Sequence, residues 1–261
     1  MSLSVAIVGR GRVGRGLRAA LHDVAPVTLL ASGRPRQTDA DVLVFAVPDA
    51  SIASVAHAWL PKTRADAVFL HCAGSLGIEA FGGLHDRELG TLHPLISFAD
   101  PKHPPDVEGA TFALTGSPTA MRLARRVVRA CRGRALDTEG LVGPAYHAAA
   151  ALVANGAAAL ATLGVQILER LGVDRRGAEH AVGALLRSVA QNVISVGVPE
   201  ALTGPIARGD AETVARHRRA LRRDERAAYD ALGPSILRVA RRAGLSPARA
   251  RAVADQLRKR K

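Results

Sequence analysis

The chain has 261 residues, room for one large domain or two ordinary ones. Its apolar fraction of 48% is that of a globular chain, and its two cysteines, Cys72 and Cys131, lie far apart without ligand spacing, which argues against a disulfide framework or a zinc site and suits a reducing cytoplasm. The net charge is +13, weighted toward residues 210–261, where fifteen Lys/Arg face six Asp/Glu; acids interleave with the bases and no aromatic platform accompanies them, so a solvated helical surface is favoured over a nucleic-acid partner.

The first apolar run, Val5–Val8, starts within a few residues of Met1, so no signal peptide is expected. It ends at Gly9, and Gly9, Gly11 and Gly14 keep G-x-G-x-x-G spacing ahead of an amphipathic stretch over Arg12–Leu21. A strand, a glycine turn and a helix start are what a dinucleotide diphosphate needs: a tight turn, close approach of the backbone, and a helix N-terminus to hold the anion. Gly9, Arg10, Gly11, Arg12, Val13 and Gly14 are therefore candidate cofactor-binding residues.

Further strands are expected at Val27–Ala31, Val42–Val47, Val68–His71, Thr91–His93 and Thr111–Leu114, and helices at Ala50–Leu60 and Thr119–Cys131. Such alternation implies a parallel sheet with right-handed crossovers. The link between Ala31 and Asp41 is too short for a crossover helix. The strand before it leads into Ser32-Gly33-Arg34-Pro35-Arg36, with no acid to hold a ribose 2′-hydroxyl. A hydroxyl and two guanidinium groups there suit a 2′-phosphate, which points to NADP rather than NAD.

Past about residue 140 helical periodicity takes over, and a boundary is placed there between a dinucleotide domain, 1–140, and a helical domain, 141–261. Helices are expected at Pro144–Leu171, Arg175–Val196, Ala211–Leu232, Ser235–Ala243 and Pro247–Lys259, punctuated by glycine and proline. From Gly140 to Ile167 there is no Lys, Arg, Asp or Glu. The run is long enough to cross a bilayer, but its alanine-rich composition with His147, Asn155, Thr162 and Gln166 reads instead as a buried central helix, and no membrane is expected.

Several segments resemble one family of Rossmann-type dehydrogenases in the 6-phosphogluconate dehydrogenase-like superfamily. They are Gly9–Gly14, Ala46-Val47-Pro48-Asp49 through Ile52, His71-Cys-Ala-Gly74, His93-Pro94 through Phe98, Tyr146 through Ala150 with Asn155, and Leu202 through Asp210. The resemblance implies a nicotinamide-binding α/β domain, an all-α C-terminal domain long labelled as of unknown function, and a homodimer built on the helical part. Some members are described as alternative ketopantoate reductases. Related reductases often carry lysine four residues before the active-site asparagine; here that position is Ala151, so no lysine role transfers. Ala73 stands where serine is frequent.

Reduction of a carbonyl needs a nicotinamide, groups that orient the substrate and a proton donor. Ala46, Val47 and Pro48 end a strand beside the nicotinamide half, with Gly74 at the next strand end, and Asp49 reads as a helix N-cap. His93 and His147 are candidate proton donors, His71 a structural histidine. His147 and Asn155, eight residues apart, fall within about 80° on one helix, where burial would oblige each to find a partner. Thr203 is a candidate to bond a substrate and Arg208 to clamp its carboxylate, unless Arg208 pairs with Asp210; His217 is a further candidate for the same place. The reading is an NADPH-dependent reductase of a small carboxylated carbonyl compound, which the family resemblance narrows to ketopantoate. An imine reductase of the pyrroline-5-carboxylate type and a non-catalytic NADP sensor or nucleic-acid binder are the alternatives.

Overall fold

A computed structural model describes residues 3–100, 102–137 and 143–259. The expected boundary at residue 140 lies outside the described residues. The chain divides into two compact units, Met1–Ala154 and Asn155–Lys261.

Seven strands among the described residues form one sheet, ordered β2-β1-β3-β4-β5-β6-β7. They are β1 Val5–Val8, β2 Val27–Leu30, β3 Val42–Phe45, β4 Val68–His71, β5 Leu89–Pro94, β6 Thr111–Gly116 and β7 Arg134–Asp137. The first five run parallel, as expected; β6 turns back against β5, and β7 follows β6. The chain leaves β1 for β2 on one side and returns to β3 on the other, so a topological switch point lies between β1 and β3. No helix forms between β2 and β3, in line with the short link. β7 was not expected: its sequence, Arg-Ala-Leu-Asp, lacks an apolar run, because an exposed edge strand needs none.

Alternate residues of the buried strands feed two cores. Val5, Ile7, Val42, Val44, Val68 and Leu70 face α1 (Arg12–Leu21) and α3 (Pro118–Ala130). Ala6, Val8, Leu43, Phe45 and Phe69 face α2 (Ile52–Trp59) through Ile52, Ala56 and Trp59. This period of two, buried on both faces, is why the strands read as continuous apolar runs. The scarce aromatics gather on the α2 side: the Phe45 and Phe69 rings are 5.1 Å apart and Phe45 and Phe81 5.8 Å.

The helical part comprises α4 Pro144–Arg170, α5 Arg175–Val196, α6 Pro205–Arg208, α7 Ala211–Ala220, α8 Arg223–Arg242 and α9 Pro247–Arg258. Its small core joins Ile206, Val214, Leu237, Ala250 and Val253. The break expected at Gly233-Pro234 falls instead at Leu221–Arg222, and Pro234 lies inside α8. The break has its own cap: the Arg222 N–H donates to the Glu225 carboxylate at 2.8 Å, and Arg170 binds the same carboxylate at 3.0 and 2.8 Å. Those hydrogen bonds hold the Glu225 carboxyl below the usual carboxylate range. Gly233 lies against α9, where an added Cβ would come within 2.7 Å of Leu257.

α4 corrects a second expectation. It is not a buried helix: none of its residues is buried within the chain, although its length and mean hydropathy of 1.7 would suffice to cross a membrane. Its uniform apolarity leaves an uncovered face rather than a core.

Candidate functional site

The glycine turn links β1 to α1, and an added methyl group would meet different surroundings at each glycine. At Gly9, with φ +124°, a Cβ would lie 2.2 Å from the Ala46 carbonyl oxygen. At Gly14 it would lie 2.0 Å from the Gly9 carbonyl oxygen. At Gly11 nothing approaches within 4 Å. The outer glycines thus close the turn and pack helix on strand, while the middle one opens to the surface. Gly11 is the N-cap of α1, no side chain caps the helix, and its first turn holds no acid. Its amides are free to meet an anion, so the cradle fits a dinucleotide diphosphate. Arg10 and Arg12 are exposed beside it, while Val13 packs on the core. The Arg10 carbonyl accepts from Arg15 Nε at 2.9 Å.

β2 ends in a turn in which the Arg34 N–H meets the Ala31 carbonyl at 3.3 Å. The buried Trp59 indole donates to the Ser32 carbonyl at 3.0 Å and anchors this turn. Arg34 and Arg36 are exposed and carry no ion pair among the described residues. Ala46 and Val47, half-buried, and exposed Pro48 follow β3 across the switch point.

At the carboxyl ends of β4 and β5 the described residues gather histidines. His71 is fully buried; its Nδ1 accepts the Ala73 N–H at 3.2 Å and its Nε2 meets the Gly77 carbonyl at 2.9 Å. Both nitrogens therefore go to backbone, and burial lowers its pKa. His93, on β5, is half-buried, and its Nδ1 lies 2.8 Å from the Tyr146 hydroxyl. Burial, then repulsion from His147, pushes the pKa of His93 down to about 4, so it is neutral at pH 7. Burial also pushes the Tyr146 phenol up to about 12. The His93 and His147 rings stand edge to face, with centroids 5.9 Å apart. Gly74 leaves room for both: a Cβ there would lie 2.6 Å from His93 Nε2 and 2.8 Å from His147 Nδ1.

Two expectations change here. Asp49 is not an N-cap: Pro48 holds that position, and the Asp49 carboxylate accepts the Ser75 hydroxyl at 3.2 Å. Neither His147 nor Asn155 is buried, so burial forces no partner on them. Tyr146 was missed as a functional candidate; its signal was its place beside His147 in a chain with only two tyrosines.

Three candidates belong to the second unit. Asn155, Thr203 and Arg208 are exposed, the first on α4, the second before α6 and the third at its last residue. Asp210 caps α7, accepting the Thr213 N–H at 3.0 Å, and no Arg208–Asp210 ion pair forms among the described residues. Gly209, at φ +69°, ends α6, and a Cβ on it would strike Arg249 at 2.6 Å. His217 faces the Tyr229 hydroxyl at 3.3 Å.

Residues 110–236 match a domain of unknown function, DUF2520, just under half of the chain. No curated protein sequence matches. Among solved structures the chain is similar to a Thermotoga maritima protein, with 26% identity, TM-score 0.70, and coverage of 91% of this chain and 99% of that one. It is similar to a Bacteroides fragilis protein provisionally described as an NADP oxidoreductase, with 17% identity, TM-score 0.67 and coverage of 97% and 98%. A Plasmodium falciparum pyrroline carboxylate reductase with NADP bound shares the fold at 11% identity, TM-score 0.59 and coverage of 97% and 98%. With the sheet order and the glycine turn, these matches show a Rossmann-type α/β unit followed by an all-helical unit.

Proposed function

We propose that the protein is an NADPH-dependent reductase of a small carboxylated imine or carbonyl compound. The observation that carries this reading is the carboxyl end of the sheet: an uncapped, glycine-lined helix start follows β1, and His93 near the end of β5 meets His147 of α4. Ligands of open parallel sheets lie outside the carboxyl ends of the strands. Gly9 through Gly14 and Ala46 through Pro48 would hold the dinucleotide, with Ser32, Arg34 and Arg36 on its 2′-phosphate. When bound, the reduced nicotinamide supplies hydride. Arg208, exposed on the second unit, is proposed for the substrate carboxylate, with Thr203 and Asn155 for its orientation. His93 or His147 supplies the proton.

The first substrate to test is pyrroline-5-carboxylate, ahead of ketopantoate. That order rests on the fold shared with pyrroline carboxylate reductase along nearly the whole chain. Two copies of the chain are proposed to associate through the exposed apolar residues of α4 and α5, including Leu185 and Ile194 at 65% and 79% exposure.

Calorimetry with NADPH and NADH, followed by turnover on both substrates, tests the reading. NADPH is expected to bind more tightly than NADH, and Arg34→Ala with Arg36→Ala to remove about tenfold or more of that preference, about 1.4 kcal/mol. Arg208→Ala is expected to raise KM while leaving NADPH binding unchanged. Tight NADPH binding without turnover would favour a sensor, and absence of nicotinamide binding by folded protein would remove the reading.

A further inference from the structure

We infer that Tyr146 and His93 form a proton relay, in which the tyrosine hydroxyl fixes His93 with its Nε2–H presented beside Gly74. The inference rests on the reductase reading above. The 2.8 Å contact joins Tyr146 to Nδ1 of His93. In the relay the phenolic O–H donates to Nδ1, the one partner it meets among the described residues, and the ring proton resides on Nε2. Nε2 packs over Gly74, beside His147 Nδ1, so closely that an added Cβ there would lie 2.6 Å from it.

The groups around His93 agree on its charge. Burial acts first, His147 next, and His71 also opposes protonation; Asp49 alone favours it. The ring is therefore neutral near pH 7. A neutral imidazole that gives up Nε2–H becomes imidazolate unless Nδ1 gains a proton in the same event. Tyr146 supplies that proton. With a reduced nicotinamide bound to supply hydride to the carbonyl or imine carbon, the C=O or C=N π pair would become a lone pair on oxygen or nitrogen. That atom takes the Nε2 proton as Nδ1 takes the phenolic proton; the relay resets when Nδ1 returns its proton to the phenolate and Nε2 takes one from water. Tyr146 acts through His93 and is a positioning residue; His93 touches the substrate.

The test uses full-length protein, labelled with 15N and read through the histidine ring nitrogens by NMR, together with Tyr146→Phe. Wild-type His93 should show Nε2 protonated and Nδ1 bare. A donor on Nδ1 favours the neutral ring, so losing it in Tyr146→Phe should raise the His93 titration midpoint above its wild-type value near 4 and mix the tautomers. With NADPH and either pyrroline-5-carboxylate or ketopantoate, Tyr146→Phe should lower kcat about tenfold or more with NADPH affinity intact. The wild-type rate should be flat across neutral pH, whereas the variant, left with imidazolium as its acid, should slow as pH rises. Wild-type protein with Nδ1 protonated, or a variant with unchanged tautomer, kcat and pH profile, would overturn the relay. Wild-type silence on both substrates would instead overturn the reductase reading, while the NMR result still decides the Tyr146–His93 geometry.

Discussion

An added methyl group would meet a carbonyl at Gly9 and Gly14 and open space at Gly11, and this difference separates folding from binding. Gly11 has φ −72°, which alanine adopts without strain. Gly11→Ala should keep its melting temperature yet lose about tenfold or more in NADPH affinity, because the methyl stands where the diphosphate would approach. Gly9→Ala and Gly14→Ala should each lower stability by about 1–3 kcal/mol, since the backbone carbonyls they strike cannot give way. Thermal melts paired with calorimetry decide it; a Gly11→Ala protein that binds NADPH normally would refute the cradle. The spacing of these glycines was legible in the sequence because each is a local backbone requirement. The Tyr146–His93 bond was not, because it joins residues 53 positions apart on β5 and α4. Asp49 was misread for the same reason: its partner, Ser75, comes from another loop 26 residues on.

At the scale of elements, periodicity located nearly every strand and helix, since burial on both sheet faces or on one helix stripe repeats at a fixed interval. It failed where tertiary contacts overrode a local signal. Gly233-Pro234 reads as a stop, yet α8 runs through it, and the chain breaks instead where Glu225 caps Arg222 and holds Arg170. α4 is apolar all round, a pattern equally suited to a core, a bilayer or a subunit contact. Its exposure, with Leu185 and Ile194 of α5 also bare, removes the core, and the subunit contact is the reading proposed above. Leu185→Glu with Ile194→Glu should therefore shift sedimentation from dimer to monomer while preserving helical circular dichroism, because exposed positions bear charge at little cost in the isolated chain. A wild-type monomer at micromolar concentration would remove that interface.

At the scale of the whole molecule, a net charge of +13 repels itself. Raising salt from about 0.05 to about 0.5 M should raise the melting temperature by a few degrees, as screening shortens the reach of those charges. A melting temperature that falls with salt would show that attractive ion pairs, such as Arg218 with Asp230 at 2.7 Å, outweigh the repulsion. The sequence by itself determined what is local or periodic: an α/β unit opening on a glycine turn, a helical unit after it, and a second strand leading to arginines rather than to an acid. The tertiary structure alone decided strand order, the reversal of β6, the capping of α8 and the meeting of His93 with Tyr146 and His147. These depend on distances between residues remote along the chain, which no local pattern of residue types encodes.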